Sequence, residues 1–160
     1  MQTNTVELMQ LCYSGAKMAT GNIQHLIPYV HNDEMGQSMR LFIDKHDTIA
    51  RLAQQMLAHL YRKGKEPNPI ASFMAKTVTD WRLCADSSDE HIARMLVESC
   101  QKGSRMLAEK KQDLDDASDR AKELADALLA LEDEFCSHMK RFTDNDSAQS
   151  DSNMDKTDVL

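Results

Sequence analysis

At 160 residues the chain has the length of one domain with a continuous core. Five Gly and three Pro leave few tight turns for a sandwich, barrel or doubly wound sheet, and eleven Met against 5% aromatic residues suits helix packing, so an all-α fold is expected. A net charge of −7, from 19 basic and 26 acidic residues, argues against the concentrated basic surface that nucleic-acid binding needs.

The first helix starts at Thr3 or Thr5, either able to cap it. It carries Val6, Met9, Tyr13, Ala16, Thr20, Ile23, Ile27 and Val30 at three- and four-residue steps. Pro28 lacks an N–H and is expected to kink or end the helix. After a turn at His31-Asn32-Asp33, a second helix repeats the spacing with Met35, Met39, Phe42, His46, Ile49, Ala53, Met56 and Leu60. It closes at Tyr61-Arg62-Lys63-Gly64, where a glycine after the last turn and nearby cations suit a helix C-terminus. Beyond Pro67 and Pro69, a crossover helix of about 17 residues, roughly 25 Å long, is expected with Ile70, Phe73, Met74, Thr77, Trp81 and Cys84 on one face. Ser88 or Asp89 caps the third long helix, with Ile92, Met95, Leu96, Ser99, Gly103, Met106 and Leu107 as its stripe. The acids of Asp89-Glu90-His91 suit its first turn. The fourth, capped by Ser118 or Asp116, carries Ala121, Leu124, Leu128, Leu131, Phe135, His138 and Phe142.

From Asp144 the pattern stops. The segment to Leu160 holds five Asp and one Lys, so four of the seven net negative charges sit there. Such a composition cannot offset its ordering entropy, which divides the chain into a bundle over 1–143 and an acidic disordered tail over 144–160. The closing Asp158-Val159-Leu160 has the shape of a C-terminus read by a peptide groove. Residues 1–20 show no basic stretch followed by a continuous apolar run, and no segment nears the roughly 18 apolar residues of a membrane span. The four isolated cysteines, Cys12, Cys84, Cys100 and Cys136, read as buried thiols of a reducing compartment. A cytoplasmic protein without membrane or nucleic-acid partners is therefore expected.

One internal repeat stands out. Cys12-Tyr13-Ser14-Gly15-Ala16-Lys17-Met18 and Cys100-Gln101-Lys102-Gly103-Ser104-Arg105-Met106 share the pattern C-x-x-G-small-basic-Met, 88 residues apart. A mid-helix Gly costs about 1 kcal/mol relative to Ala, so paired glycines predict close backbone approach between helices. The same offset sets Asp44 against Glu132. The matched Cys12 and Cys100 read either as inert buried thiols or as a redox pair.

Two helical hairpins joined by a crossover resemble the ferritin-like superfamily. The C-x-x-G elements, Trp81, the stretch Ser87 to Gly103 and the stretch Leu131 to Phe142 resemble a group of bacterial ferritin-like bundles of unknown function, over roughly residues 5–143. The resemblance implies a di-iron centre built from one Glu on each of two helices and Glu-x-x-His on each of the others. This chain departs from it. Ala16 and Ser104 stand where similar proteins carry Glu after the helical Gly, Asp44-x-x-Asp47 and Glu132-x-x-Phe135 replace the His-bearing motifs, and Glu-x-x-His occurs nowhere.

What remains is a degenerate ligand set. His46 lies on the core stripe, and a third helix parallel to the second brings it level with Glu98 and Glu132, with Asp44 nearby. Those four residues read either as a non-standard site for Fe, Mn or Zn or as a core histidine satisfied by a carboxylate. His138 reads as a helix-end histidine, and Glu134 with His138 as a surface pair. The expected function is non-enzymatic, by self-association as a homodimer or by protein binding, with no cofactor. The alternatives are a metal-binding oxidoreductase or metal store, and a small-ligand carrier with a Met-lined void between helices.

Overall fold

A computed structural model describes residues 2–68, 82–83 and 86–144. Four long helices account for most of them: α1 (Gln2–Leu26), α2 (Asp33–His59), α3 (Asp89–Asp113) and α4 (Asp119–Lys140). A 3-10 turn over Ile27–Tyr29 ends α1 at Pro28, where the missing N–H breaks the ladder. Among the described residues there is no strand, and no helix is long and apolar enough to cross a membrane. The expected crossover helix and acidic tail lie outside the described residues, apart from Arg82, Leu83 and Asp144.

Side-chain caps fix three of the starts. Asn32 accepts from the Met35 amide at 2.9 Å, Ser88 from the His91 amide at 3.2 Å and Ser118 from the Ala121 amide at 3.3 Å. The first helix departs from expectation, because α1 begins at Gln2 and neither Thr3 nor Thr5 caps it. The buried Thr5 hydroxyl instead accepts from the Ser118 amide at 2.8 Å, tying the start of α1 to the start of α4. Asp89 likewise reaches beyond its own helix. Its carboxylate accepts from the amides of His31 at 2.9 Å and Asn32 at 2.7 Å, holding the first hairpin's turn against the start of α3.

The exit from α2 differs as well. Leu60 is the last half-helical residue, and the Arg62 amide donates to Leu57 O while the Tyr61 amide donates to Ala58 O. That pair of bonds is a Schellman closure, which requires a left-handed residue, and Tyr61 supplies it at φ 53°. Gly64 serves another purpose. A Cβ there would lie 2.7 Å from the Tyr13 ring, so the chain can cross α1 only because that position has no side chain.

Helix direction follows from the pairs that meet. Arg141 with Glu34 (2.8 Å) and Lys45 with Glu134 (2.6 Å) set α2 and α4 antiparallel. One apolar cluster, here termed upper, joins Ile23 and Leu26 of α1, Met35, Met39 and Phe42 of α2, Ile92 to Cys100 of α3, and Leu131 to Met139 of α4. The lower cluster joins Leu8 to Ala16, Ala50 to Leu57, Leu107 and Leu114, and Ala117 to Leu128. Helices α2 and α3 both start at the upper end, so they run parallel. The connection leaves over α1, where Lys63 O accepts from Gln10 (3.2 Å), Lys65 O accepts from Ser14, and Tyr13 donates to Glu66 (2.7 Å). It arrives at α3 through Arg82, which pairs with Glu98, and Leu83, which is buried in the upper cluster.

Candidate functional site

The centre of the bundle holds a polar group of three residues from three helices. His46 sits at α2's midpoint, between Phe42 one turn before and Ala50 one turn after, and is fully buried. Its Nδ1 lies 2.6 Å from Phe42 O. A carbonyl only accepts, so Nδ1 carries the proton and donates. Its Nε2 lies 2.8 Å from Glu132 Oε1 on α4, and one proton between them leaves the pair neutral overall. Cys100 of α3 completes the group, donating its S–H to Glu132 Oε2 at 2.7 Å and to Glu132 O at 3.0 Å. Both carboxylate oxygens of Glu132 are therefore engaged by protein groups, which is how a buried acid avoids an uncompensated charge.

These contacts sort the four expected ligands. His46 and Glu132 come together, whereas Glu98 and Asp44 do not join them. The core face of α3 is set by Leu96 and Cys100, so Glu98 turns outward and takes a forked bond from Arg82 at 3.1 Å. Asp44 precedes His46 by two residues, about 200° around the helix, and is exposed. Among the described residues no three His, Cys, Asp or Glu side chains converge on one ion position. The donor set does not fit a di-iron centre.

Cys100 is the member that sequence reading missed as part of this group. A stripe of 92, 96, 100 and 107 along α3 would have found it; the stripe of 99, 103 and 106 is rotated onto the outer face, where all three are exposed. Burial, then the Glu132 charge and hydrogen bond, and then the neighbouring Cys136 push the Cys100 thiol well above its ordinary range. Burial, with Asp126 adding to it, pushes Cys12 up to about 12. Cys12 belongs to the lower cluster and Cys100 to the upper, so the matched cysteines do not form a pair. Glu134 and His138 do not pair either. Glu134 binds Lys45, while the His138 ring stands edge-on to Phe42 at 5.1 Å, its Nδ1 buried without a hydrogen bond.

The paired glycines do not bring helices into contact. A Cβ at Gly103 would meet nothing within 4 Å, and one at Gly15 would touch only Leu128 at an ordinary 3.6 Å. Both positions instead line a trough of about 310 Å³ between α1 and α3, floored by Leu128, Glu132 and Phe135 of α4. The two C-x-x-G-small-basic-Met segments form its facing walls. Met18 and Met106 stand at matched positions of the motif, 40% and 59% exposed at its rim.

Compared with known proteins, the chain matches no family model, no curated protein and no solved structure.

Proposed function

We propose that the chain is a ferritin-like bundle of two related hairpins whose di-iron site has degenerated, and that it acts without catalysis, by self-association. The observation that carries this reading is the commitment of Glu132. One oxygen binds His46 and the other Cys100, so each oxygen of the central carboxylate already has a partner inside the fold. The resulting group is a structural polar core rather than a reaction centre.

The surface supports association. Leu41 and Leu52 on α2 are 49% and 44% exposed and eleven residues apart, about three helical turns, so they lie along one outer stripe. Two such stripes crossing about a twofold axis bury each other in an isologous dimer. Sedimentation equilibrium on the full chain is the test, and the expected result is a dimer that a Leu41→Lys, Leu52→Lys double variant converts to monomer. A wild-type monomer at high concentration would overturn the reading.

The metal-store alternative makes a different demand. His46, Glu132, Cys100 and Cys136 lie together at the bundle centre, and to hold an ion they would have to turn from one another toward a shared point about 2.0 to 2.3 Å from each donor. Elemental analysis of protein purified without a metal-affinity tag separates the two. Stoichiometric metal that is lost in a His46→Ala, Glu132→Ala variant would replace association with metal binding.

A further inference from the structure

The trough between α1 and α3 has a direction. At its upper end Asn22 of α1 donates to Ser99 Oγ of α3 at 3.1 Å and closes it, with Phe135 beneath. Leu11 and Lys110 line its lower end. Lys110 is exposed, and among the described residues its ammonium has no carboxylate partner, unlike Lys111 beside it, which pairs with Asp126.

The floor determines what can lie inside. Among the described residues of the floor the ionisable group is Glu132, which together with His46 forms a neutral pair and has both oxygens engaged. A charge or unpaired polar group pressed against this floor would be desolvated without compensation, at a cost far above what apolar contact returns. The walls of Leu11, Met18, Ile23, Leu96, Met106 and Leu107 instead accept a flexible aliphatic chain, and unbranched thioethers adapt to its shape. At about 30 Å³ per small group, a volume of about 310 Å³ holds about ten non-hydrogen atoms. Charge complementarity then fixes orientation, with the tail toward the Asn22–Ser99 closure and an anionic head at Lys110.

We propose that this trough is a binding site for a medium-chain aliphatic carboxylate, held by its chain between α1 and α3 and by its carboxylate at Lys110. The glycines make the space. Ala would fit at either position and would favour the helix, so neither Gly is demanded by a helix contact; what they supply is the width of the trough.

The test is titration of the full-length protein, its methionine methyls labelled with ¹³C, with decanoate, decan-1-ol and decyltrimethylammonium in turn. Decanoate is expected to bind saturably with Kd below about 1 mM and to shift the Met18 and Met106 methyl resonances. Lys110→Glu should weaken decanoate at least tenfold while leaving decanol within about twofold. Gly103→Leu places a side chain where nothing stands within 4 Å, so it should keep the fold and abolish both ligands. Three results would overturn the proposal: no saturable decanoate binding, binding indifferent to Gly103→Leu in a variant with an unchanged melting profile, or equal binding of the decylammonium. Co-sedimentation with phosphatidylglycerol vesicles in the absence of decanoate binding would assign the basic mouth to a lipid surface instead, and would equally overturn it.

Discussion

The two halves of the core are built from different materials. The upper cluster contains Phe42, Phe135, Phe142, Met35, Met39, Met95 and Met139, whereas the lower one contains six alanines, Ala16, Ala50, Ala53, Ala117, Ala121 and Ala125, with leucines between them and no phenylalanine. Large side chains fill a wide interior, while alanines exclude voids only if the backbones approach closely. The wide half is where a histidine, a glutamate and a cysteine can be enclosed together. The tight half has no such room, and its polar contacts, such as Thr5 with Ser118, lie at its edge.

Removing one member of the enclosed group should have the largest effect. Glu132→Ala leaves the buried His46 Nε2 without its partner and the Cys100 thiol with only the backbone carbonyl at position 132, and urea denaturation should show a loss of about 3–5 kcal/mol. A Glu132→Leu, His46→Leu double variant removes the polar pair together and should lose much less. If the double costs as much as the single, the group owes its weight to shape rather than charge compensation.

The difference in materials predicts opposite sensitivities to volume. Phe42→Ala empties the wide half and should cost about 3–5 kcal/mol. Ala53→Leu overfills the tight half and should cost about 1–3 kcal/mol. Equal tolerance of added volume in both halves, measured by adding Met95→Phe to the set, would erase the distinction.

Thiols probe the two halves by pH. Cys12 is raised in the fold to about 12 from an ordinary 9, so folded protein holds the proton that unfolded protein releases. Stability from this group is complete below pH 9 and falls as pH climbs from 9 toward 12, by at most about 1.4 kcal/mol per pH unit. Cys12→Ala should flatten that part of the alkaline stability curve relative to wild type. Cys100 is raised in the same direction, so Cys100→Ala should do likewise in the upper half.

Much of this was legible in the residues. Apolar periodicity located all four long helices, and Asn32, Ser88 and Ser118 lie where starting caps were expected or one turn from the first stripe residue. The meeting of His46 with Glu132 followed from equal height along antiparallel helices. Rotation about each helix axis was harder to read. On α3 a mixed stripe with Ser99, Gly103 and Met106 competes with one through Leu96 and Cys100, and both have helical spacing. Only packing against α4 selects the second, which buries Cys100 and sends Glu98 outward to Arg82. Glycine was ambiguous for a related reason: its cost in a helix is intrinsic, but whether its missing side chain faces a backbone or an empty trough depends on a neighbour remote in sequence.

The smallest expected effect concerns the two ends of α2, which also contrast. At the upper end Asn32 caps the first turn through its side chain, at no backbone expense. At the lower end the Schellman closure places Tyr61 in the left-handed region, where its Cβ crowds the following carbonyl, and its ring, 98% exposed, gains nothing in return. Tyr61→Gly relieves that crowding but adds freedom to the unfolded chain, so the net gain should be a few tenths to about 1 kcal/mol. Tyr61→Asn, which tolerates the same region with less added freedom, should gain a similar amount, whereas Tyr61→Val should lose stability because β-branching worsens the clash. Thermal melts of the three variants settle the order. If valine is neutral, the left-handed turn is not what ends α2.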